Sequence, residues 1–320
     1  MKALHLALIA LVLASAISSA RAQTDWPQRN VRFLVAFAPA GPADVIARIL
    51  GQALQDKWKQ TVIVENRGGG GGNVGASQVA RMAPDGYTVL VTTSAFAVNL
   101  TLYDNPGYTL QDFRVASVAA TTPNIIVRSP AFAPATLPEI IAAAKTQPLS
   151  FASAGVGTTT HLAGELIFQI LAKADVRHVP FTGAAPAAAA ALGNHVQLAV
   201  LTISSSGEHL KSGGLKGVAV TAAKRQPGFP DIPTANDAGI GKVEAATDIF
   251  FLMPAKTPPE VIEKFNADVN GLIADGTIDK AFAAAVVSPV SLKQAEADAY
   301  VAVEAKKWGD IIKQTGVKVE

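Results

Sequence analysis

The stretch that most restricts the possible folds is 31–50, VRFLVAFAPAGPADVIARIL, which reads as strand, tight loop and helix. Val31, Phe33, Leu34, Val35 and Phe37 make a short apolar run rich in β-formers, as a buried strand would. Residues 38–43 carry two prolines and a glycine, which break the strand. Pro42 suits the first helical position, where its missing N–H costs nothing. Asp44 falls in the first turn, where a carboxylate can accept from free N–H groups. Ile46, Ile49, Leu50 and Leu54 follow at helical spacing. A strand that feeds a helix through a small-residue loop leaves backbone N–H groups facing open space, a place for an anion. Turns of this kind also stand empty in many α/β domains, so the rest of the chain has to decide. Residues 37–44 contain no Lys or Arg, so an anion there would be held by neutral donors.

The same unit recurs. Strand 61–65 leads through Asn66, Arg67 and five glycines (68–72) into a helix over about 73–82, and strand 87–92 follows the turn Pro84-Asp85-Gly86. The first hundred residues thus run β-α-β-α-β, which predicts a mostly parallel sheet covered by helices. An extended run at 114–127 is broken by Pro123, and Thr136-Leu137-Pro138-Glu139 starts a helix over 138–145. Strand 150–153, a helix opened by the Gly-Thr stretch 155–160, strand 176–180, an alanine-rich helix over 184–192 and strands 196–203 and 217–221 make a second α/β unit. Beyond the proline-rich connection 227–233 comes strand 246–253. Thr257-Pro258-Pro259-Glu260 then starts a helix with Thr257 as its cap and Ile262, Phe265, Val269 and Leu272 as its buried stripe. A last helix opens at 291–294 and runs to about 313.

Lys2, an apolar run over 3–17 and Ala20-Arg21-Ala22 have the layout of a secretory signal peptide cleaved after Ala22. Cleavage would leave about 300 residues, enough for two domains with sizeable cores. The chain has no cysteine, which excludes a disulfide scaffold, a Cys–zinc site, a thiol nucleophile and a bacterial lipid anchor. Its formal charge of +2 falls to about zero without Lys2 and Arg21, so neither a nucleic-acid nor an anionic-membrane surface is expected.

Several stretches could carry chemistry. Residues 70–75 formally match the dinucleotide fingerprint G-x-G-x-x-G, although a run of glycines makes such a match cheap; the other reading is a loop that opens a helix. In 153–161, SAGVGTTTH, glycines allow close backbone approach and hydroxyls at a helix start offer donors to a carboxylate. Thr158 or Thr159 could equally serve as plain helix caps, and His161, one turn in, could reach the same ligand or be structural. Thr92-Thr93-Ser94 ends the third strand, where ligands of open α/β sheets sit. No G-x-S-x-G, H-E-x-x-H or P-loop lysine is present, and the histidine–carboxylate spacings show no metal pattern, so neither catalysis nor a metal is expected.

These loops are where the chain resembles a known family, the Bug-type periplasmic solute-binding proteins, receptors of tripartite tricarboxylate transporters. Trp26-Pro27, the strand at 31–37 and Pro39-Ala40-Gly41-Pro42-Ala43-Asp44 resemble its opening, with Ala40 replacing the first glycine of a P-G-G-x-x-D loop. Val64-Glu65-Asn66-Arg67, Gly71-Gly72-Asn73-Val74-Gly75 and Ala83-Pro84-Asp85-Gly86-Tyr87-Thr88 form the most diagnostic run. Phe151-Ala152-Ser153-Ala154-Gly155, His161-Leu162-Ala163-Gly164-Glu165, His178-Val179-Pro180-Phe181-Thr182-Gly183 and Ala219-Val220-Thr221 continue it in register.

The resemblance implies an α/β, two-lobed type II periplasmic binding protein fold, a Venus flytrap in which each lobe is a mostly parallel sheet flanked by helices. By the family pattern the chain crosses between lobes near 121–124 and 247–249. That gives one lobe from 23–122 with 249–320 and another from 123–248. Loops 37–44 and 153–161 would hold the ligand, often with ordered water bridging it to the first lobe. The ligand-contacting residues expected from both readings are Phe37, Ala40, Gly41, Pro42, Asp44, Thr93, Ser94, Ser153, Ala154, Gly157, Thr158, His161, Thr202 and Asp248. Thr202 stands where the family often carries Asp, and Asp248-Ile249 where it often carries an aromatic pair. Asp248 either faces the cleft and favours a ligand with a donor or amine, or is solvated or bonded at the hinge. The function implied is capture of a small carboxylate in the periplasm by a monomer without cofactor, and delivery to the transporter's membrane permease. The alternative is a secreted hydrolase or ligand sensor acting on a small carboxylate.

Overall fold

The computed structural model describes residues 25–241 and 243–317, except the side chains of 314 and 315. The expected signal peptide at 1–22 lies outside the described residues. Strand β1 (Val31–Val35) passes through the loop into helix α1 (Pro42–Trp58), which has Gly41 as N-cap and Pro42 in its first turn. Next come β2 (Val62–Asn66), a 3-10 turn (Gly70–Gly72), α2 (Asn73–Val79), β3 (Thr88–Thr93) and α3 (Ala95–Leu102). Periodicity gives no sign of α3, because six of its eight residues are buried and it has no polar face.

β4 (Phe113–Arg128) is one long strand through Pro123. The expected break does not occur, because Pro123 pairs with Ala246 at the step where β4 exchanges its partners, Asn124 already facing Thr202. The second unit then follows: α4 (Leu137–Ala144), β5 (Leu149–Ser153), α5 (Thr159–Glu165) prolonged by a π-helical turn (Leu166–Leu171), β6 (Val176–Pro180), α6 (Ala184–Leu192), β7 (Leu198–Thr202), α7 (Ile203–Lys211) and β8 (Lys216–Val220). Thr136 and Glu139 close a reciprocal capping box on α4, as the sequence predicts.

The chain returns through β9 (Ala246–Pro254) and ends with α8 (Pro259–Ala274), α9 (Asp279–Ala284), β10 (Ser288–Pro289) and α10 (Gln294–Thr315). Thr257 does not cap α8. Its N–H turns back to the Pro254 carbonyl, its hydroxyl is buried with no partner among the described residues, and the Pro258 carbonyl receives the first helical bonds, so the helix starts one residue later.

The strands follow the order β2-β1-β3-β9-β4-β7-β5-β6, with β8 and β10 also paired to β4. β1 runs parallel to β2 and β3, and β5 runs parallel to β6 and β7. The antiparallel pairs are those that β4 and β9 make. Each half is therefore parallel on its outer side and antiparallel where the crossing strands enter. β4 and β9 pair with each other at Thr121–Asp248, Thr122–Thr247 and Pro123–Ala246, so the two crossings are one ladder.

Phe33, Phe251 and Phe265 centre the first core, with ring centroids 5.3–6.1 Å apart. Phe151, Phe168 and Leu162 centre the second, and the alanines of α6 pack its far face with Ile125 and Leu201. α10 spans both halves: Val301 packs in the first core, Trp308 and Ile312 in the second.

Candidate functional site

The carboxyl ends of the parallel strands from both halves face one another across a cavity. Its walls are Phe37, Gly41 and Pro42 after β1, Thr93 ending β3, Ala154 and Thr158–Thr160 after β5, Thr202 ending β7, Ala184 starting α6, and Thr247 on β9. The space between the walls is about 370 Å³, counted out to the mouth. None of these described lining residues is charged. Seven expected contacts therefore line it: Phe37, Gly41, Pro42, Thr93, Ala154, Thr158 and Thr202. Asp44, Ser94, Ser153, Gly157, His161 and Asp248 are buried behind the walls, Ala40 is exposed and outside the lining, and Thr159, Thr160, Ala184 and Thr247 are walls outside the expected contact set.

The residues behind the walls hold the loops in place. Asp44 is buried and accepts from the Ala40 N–H (2.9 Å), from Arg48 Nε (3.0 Å) and Nη2 (2.9 Å), and from Asn66 Nδ2 (3.0 Å). Burial alone would raise the Asp44 pKa, but the bonds from Arg48, Ala40 and Asn66 outweigh it and hold it below the ordinary carboxylate value. Asn66 also donates to the Phe37 carbonyl (3.0 Å), so this motif residue ties the second strand's end to the first loop. Ala40 has φ 63°, a left-handed value that favours glycine, and the departure from the family pattern thus falls on a strained position.

The second loop is held by two imidazoles. The Gly157 N–H donates to His161 Nδ1 (3.3 Å), and Ser153 Oγ lies 2.7 Å from His178 Nε2. The two rings stack with centroids 4.0 Å apart and an interplanar angle of 22°. Burial lowers the pKa of His161 to about 4; burial, then the charge of His161, lowers that of His178 to about 3. Glu165, its pKa raised by burial, brings Oε1 to 3.9 Å from His161 Nε2. One ligand atom each of His161, Glu165 and His178 thus lie within 4.8 Å of one another, a grouping that the sequence spacing did not reveal beyond the i,i+4 pair on α5. Stacked rings send their in-plane lone pairs side by side rather than to one point. Neutral His161 also carries its proton on Nε2, because Nδ1 is the acceptor, and the arrangement fits loop support better than metal ligation. Ser153 and His178 make a hydroxyl–imidazole pair, but Ser153 is fully buried and is not a wall of the cavity.

Strand alternation settles where Asp248 points. Thr247 faces the cavity, so Asp248 faces away, towards α10. Its Oδ2 accepts from Ser94 Oγ (3.1 Å) and Tyr300 Oη (3.1 Å), and its N–H donates to Ser94 Oγ (2.9 Å). Burial first, then the charges of Asp248 and Glu304, push the Tyr300 pKa up, so the phenol keeps its proton for that bond.

The glycine run belongs to the seam between the halves. Gly70, Gly71 and Gly72 have φ of 56°, 62° and 100°, and a Cβ on Gly71 would stand 2.3 Å from the Val156 carbonyl oxygen across the cleft. A Cβ on Gly157 would stand 2.0 Å from Asn99 Oδ1, and one on Gly183 2.8 Å from the Ala38 Cβ. Asn99 Nδ2 donates to the Gly71 carbonyl (3.0 Å) and to Asn73 Oδ1 (2.8 Å), fixing the turn. The halves are in contact, and only residues without Cβ allow them to come this close.

A cavity enclosed between two α/β halves that share a crossing ladder, with no charged residue among its described walls, has the form of a solute receptor. Residues 46–317 match the tripartite tricarboxylate transporter family receptor, TctC, and the chain belongs to this family. It is 32% identical to protein BugT of Bordetella pertussis over 98% of both chains. The solved structure of the periplasmic binding protein BugD is similar at TM-score 0.87 and 30% identity, covering 92% of this chain and 100% of that one. Rpa4515 of R. palustris, solved with adipate, is similar at TM-score 0.87 and 28% identity, covering 92% of this chain and 99% of that one.

Two outcomes follow. Ala40→Gly should raise unfolding free energy by about 0.5–1 kcal/mol, the relief of left-handed strain less the added chain entropy, measured by urea denaturation. The lowered histidine pKa values mean that the unfolded chain takes up protons first on acidification. Stability is then full above about pH 6.5 and falls as pH drops towards about 4, by roughly 2 kcal/mol for His161 near pH 5. Glu165 works the other way but is one group against two. Denaturation at several pH values should show this slope, and His161→Gln should flatten it.

Proposed function

We propose that the protein captures a small carboxylate in this cavity and delivers it to the membrane permease of a tripartite tricarboxylate transporter. It acts in the periplasm, as a monomer, after cleavage behind Ala22. The lobes are 23–122 with 249–320, and 123–248. No bond of the guest is made or broken, and no cofactor takes part. One observation carries the reading: the walls come from the strand ends of both halves and include six threonines but, among the described residues, no charged side chain. The match to the receptor family and the adipate in Rpa4515 support it. Three or four charge-assisted hydrogen bonds of about 1.5–3 kcal/mol each, less ordering and closure costs, give roughly micromolar affinity. Closure is the signal a permease can distinguish, because only the filled receptor favours the shut form.

A thermal-shift screen of mono- and dicarboxylates tests this. One or more acids should raise the melting temperature and be recovered unchanged; no shift with any acid, or recovery of a hydrolysed product, would sink the reading. Gly71→Ala should hold the lobes apart and weaken that acid about tenfold or more, while leaving the melting temperature of the ligand-free protein within a few degrees. Calorimetry and small-angle scattering with and without the acid check both.

A further inference from the structure

Two hydroxyls in the cavity wall are linked to a buried amide that the cavity itself does not reach. Thr159, at the start of α5, and Thr247, on the crossing strand β9, both line the cavity, and their Oγ atoms are hydrogen-bonded to each other. Thr247 Oγ in turn lies 2.8 Å from Asn124 Oδ1. Asn124 is fully buried on β4, one residue past Pro123 at the crossing, and its Nδ2 has no partner among the described residues.

The chain of donors has a direction. Each hydroxyl gives one proton. With Oδ1 towards Thr247, the Thr247 O–H donates to Asn124 and the Thr159 O–H donates to Thr247. Thr159 then shows the cavity only lone pairs, which repel a carboxylate, and the Asn124 amide group is left with unmet N–H donors in a dry site. A half-turn of that amide reverses everything. Nδ2 donates to Thr247, Thr247 donates to Thr159, and the Thr159 O–H points into the cavity, where it needs an acceptor. A carboxylate supplies that acceptor.

Resting on the proposed capture of a carboxylate, we infer that Asn124 is a positioning residue for that ligand: through Thr247 it sets whether Thr159 donates to the guest or accepts from it, and so selects acids over neutral amides. Two neighbouring threonines are committed elsewhere. Thr158 gives its proton to the Gly155 carbonyl (2.7 Å) and Thr202 gives its own to Ser205 Oγ (2.9 Å).

The test is the ratio of affinities for an acid and its primary amide, using adipate with adipamide and butyrate with butyramide, by calorimetry at about pH 8, where a carboxyl side chain is ionised. Asn124→Asp can only accept, so it should lower the acid-to-amide ratio about tenfold or more. Thr247→Val disconnects the amide and should lower the ratio about threefold, with Thr247→Ser restoring it. In the Thr247→Val background Asn124→Asp should have no further effect, whereas simple charge repulsion would lower the ratio again. An unchanged ratio in Asn124→Asp, a further drop in the double variant, or equal loss of acid and amide would overturn the inference. If Asn124→Asp does not fold, the Thr247→Val and Thr247→Ser pair decides alone: equal ratios in both would overturn it. If neither acid binds the wild-type protein while other carboxylates do, the same ratios are read with those acids and their amides. If no carboxylate binds at all, the proposed function fails, and the inference with it.

Discussion

β4 and β9 bond to each other from Phe113–Pro254 to Pro123–Ala246, and β4 then continues into the second sheet without a turn. One ladder is therefore shared by both halves. Everything that lines the cavity is measured from it. Thr247 sits on β9 at the crossing, Thr202 faces Asn124 across β4, and Thr93 ends the strand that pairs with β9. The carboxyl ends of the parallel strands converge on that point, because strands that feed helices leave their open amides at that end.

Charge is kept out of the cavity and held just behind it. Asp44 is neutralised by Arg48, and Asp248 is held by the hydroxyls of Ser94 and Tyr300. A cation in the wall would bind any anion, with little regard to shape. Neutral donors at fixed positions reward only an acid whose oxygens fall where they point, and a low local dielectric makes each such bond count. The cost is that a buried hydroxyl needs an acceptor, and Thr158 and Thr160 meet that need within the protein, bonded to each other and to the Gly155 carbonyl.

Closure depends on the absence of side chains. Gly71 approaches the Val156 carbonyl, Gly157 the Asn99 amide and Gly183 the Ala38 methyl across the seam, where one added methyl would stand between the halves. The imidazole pair of His161 and His178 plays the complementary part on the second lobe, fixing the Ser153 and Gly157 ends of the loop without presenting a charge.

The order of strands β1 to β9 and of most helices, the helix start at Pro42, the capping box at Thr136 and the alanine helix at Ala184–Leu192 were legible in the sequence, because each follows from contacts within a few residues; α7, α9 and the two-residue β10 were not read from it. The two loops that form the cavity were legible too, marked by glycine, proline and threonine between strand and helix. Helix α3 was not, because burial on all sides erases its periodicity, nor was the continuity of β4 through Pro123, which depends on a change of partner strand. Which loop residues face the cavity was decided only by tertiary structure. Asp44, His161 and Asp248 have the chemistry to touch a ligand, yet their hydrogen bonds to Arg48, Gly157 and Ser94 turn them to support the walls. Thr247 and Asn124 look unremarkable in the chain and meet Thr159 only because two strands 123 residues apart cross at one place. Local sequence sets what a segment can be; the direction in which a side chain points is set by partners distant in the chain.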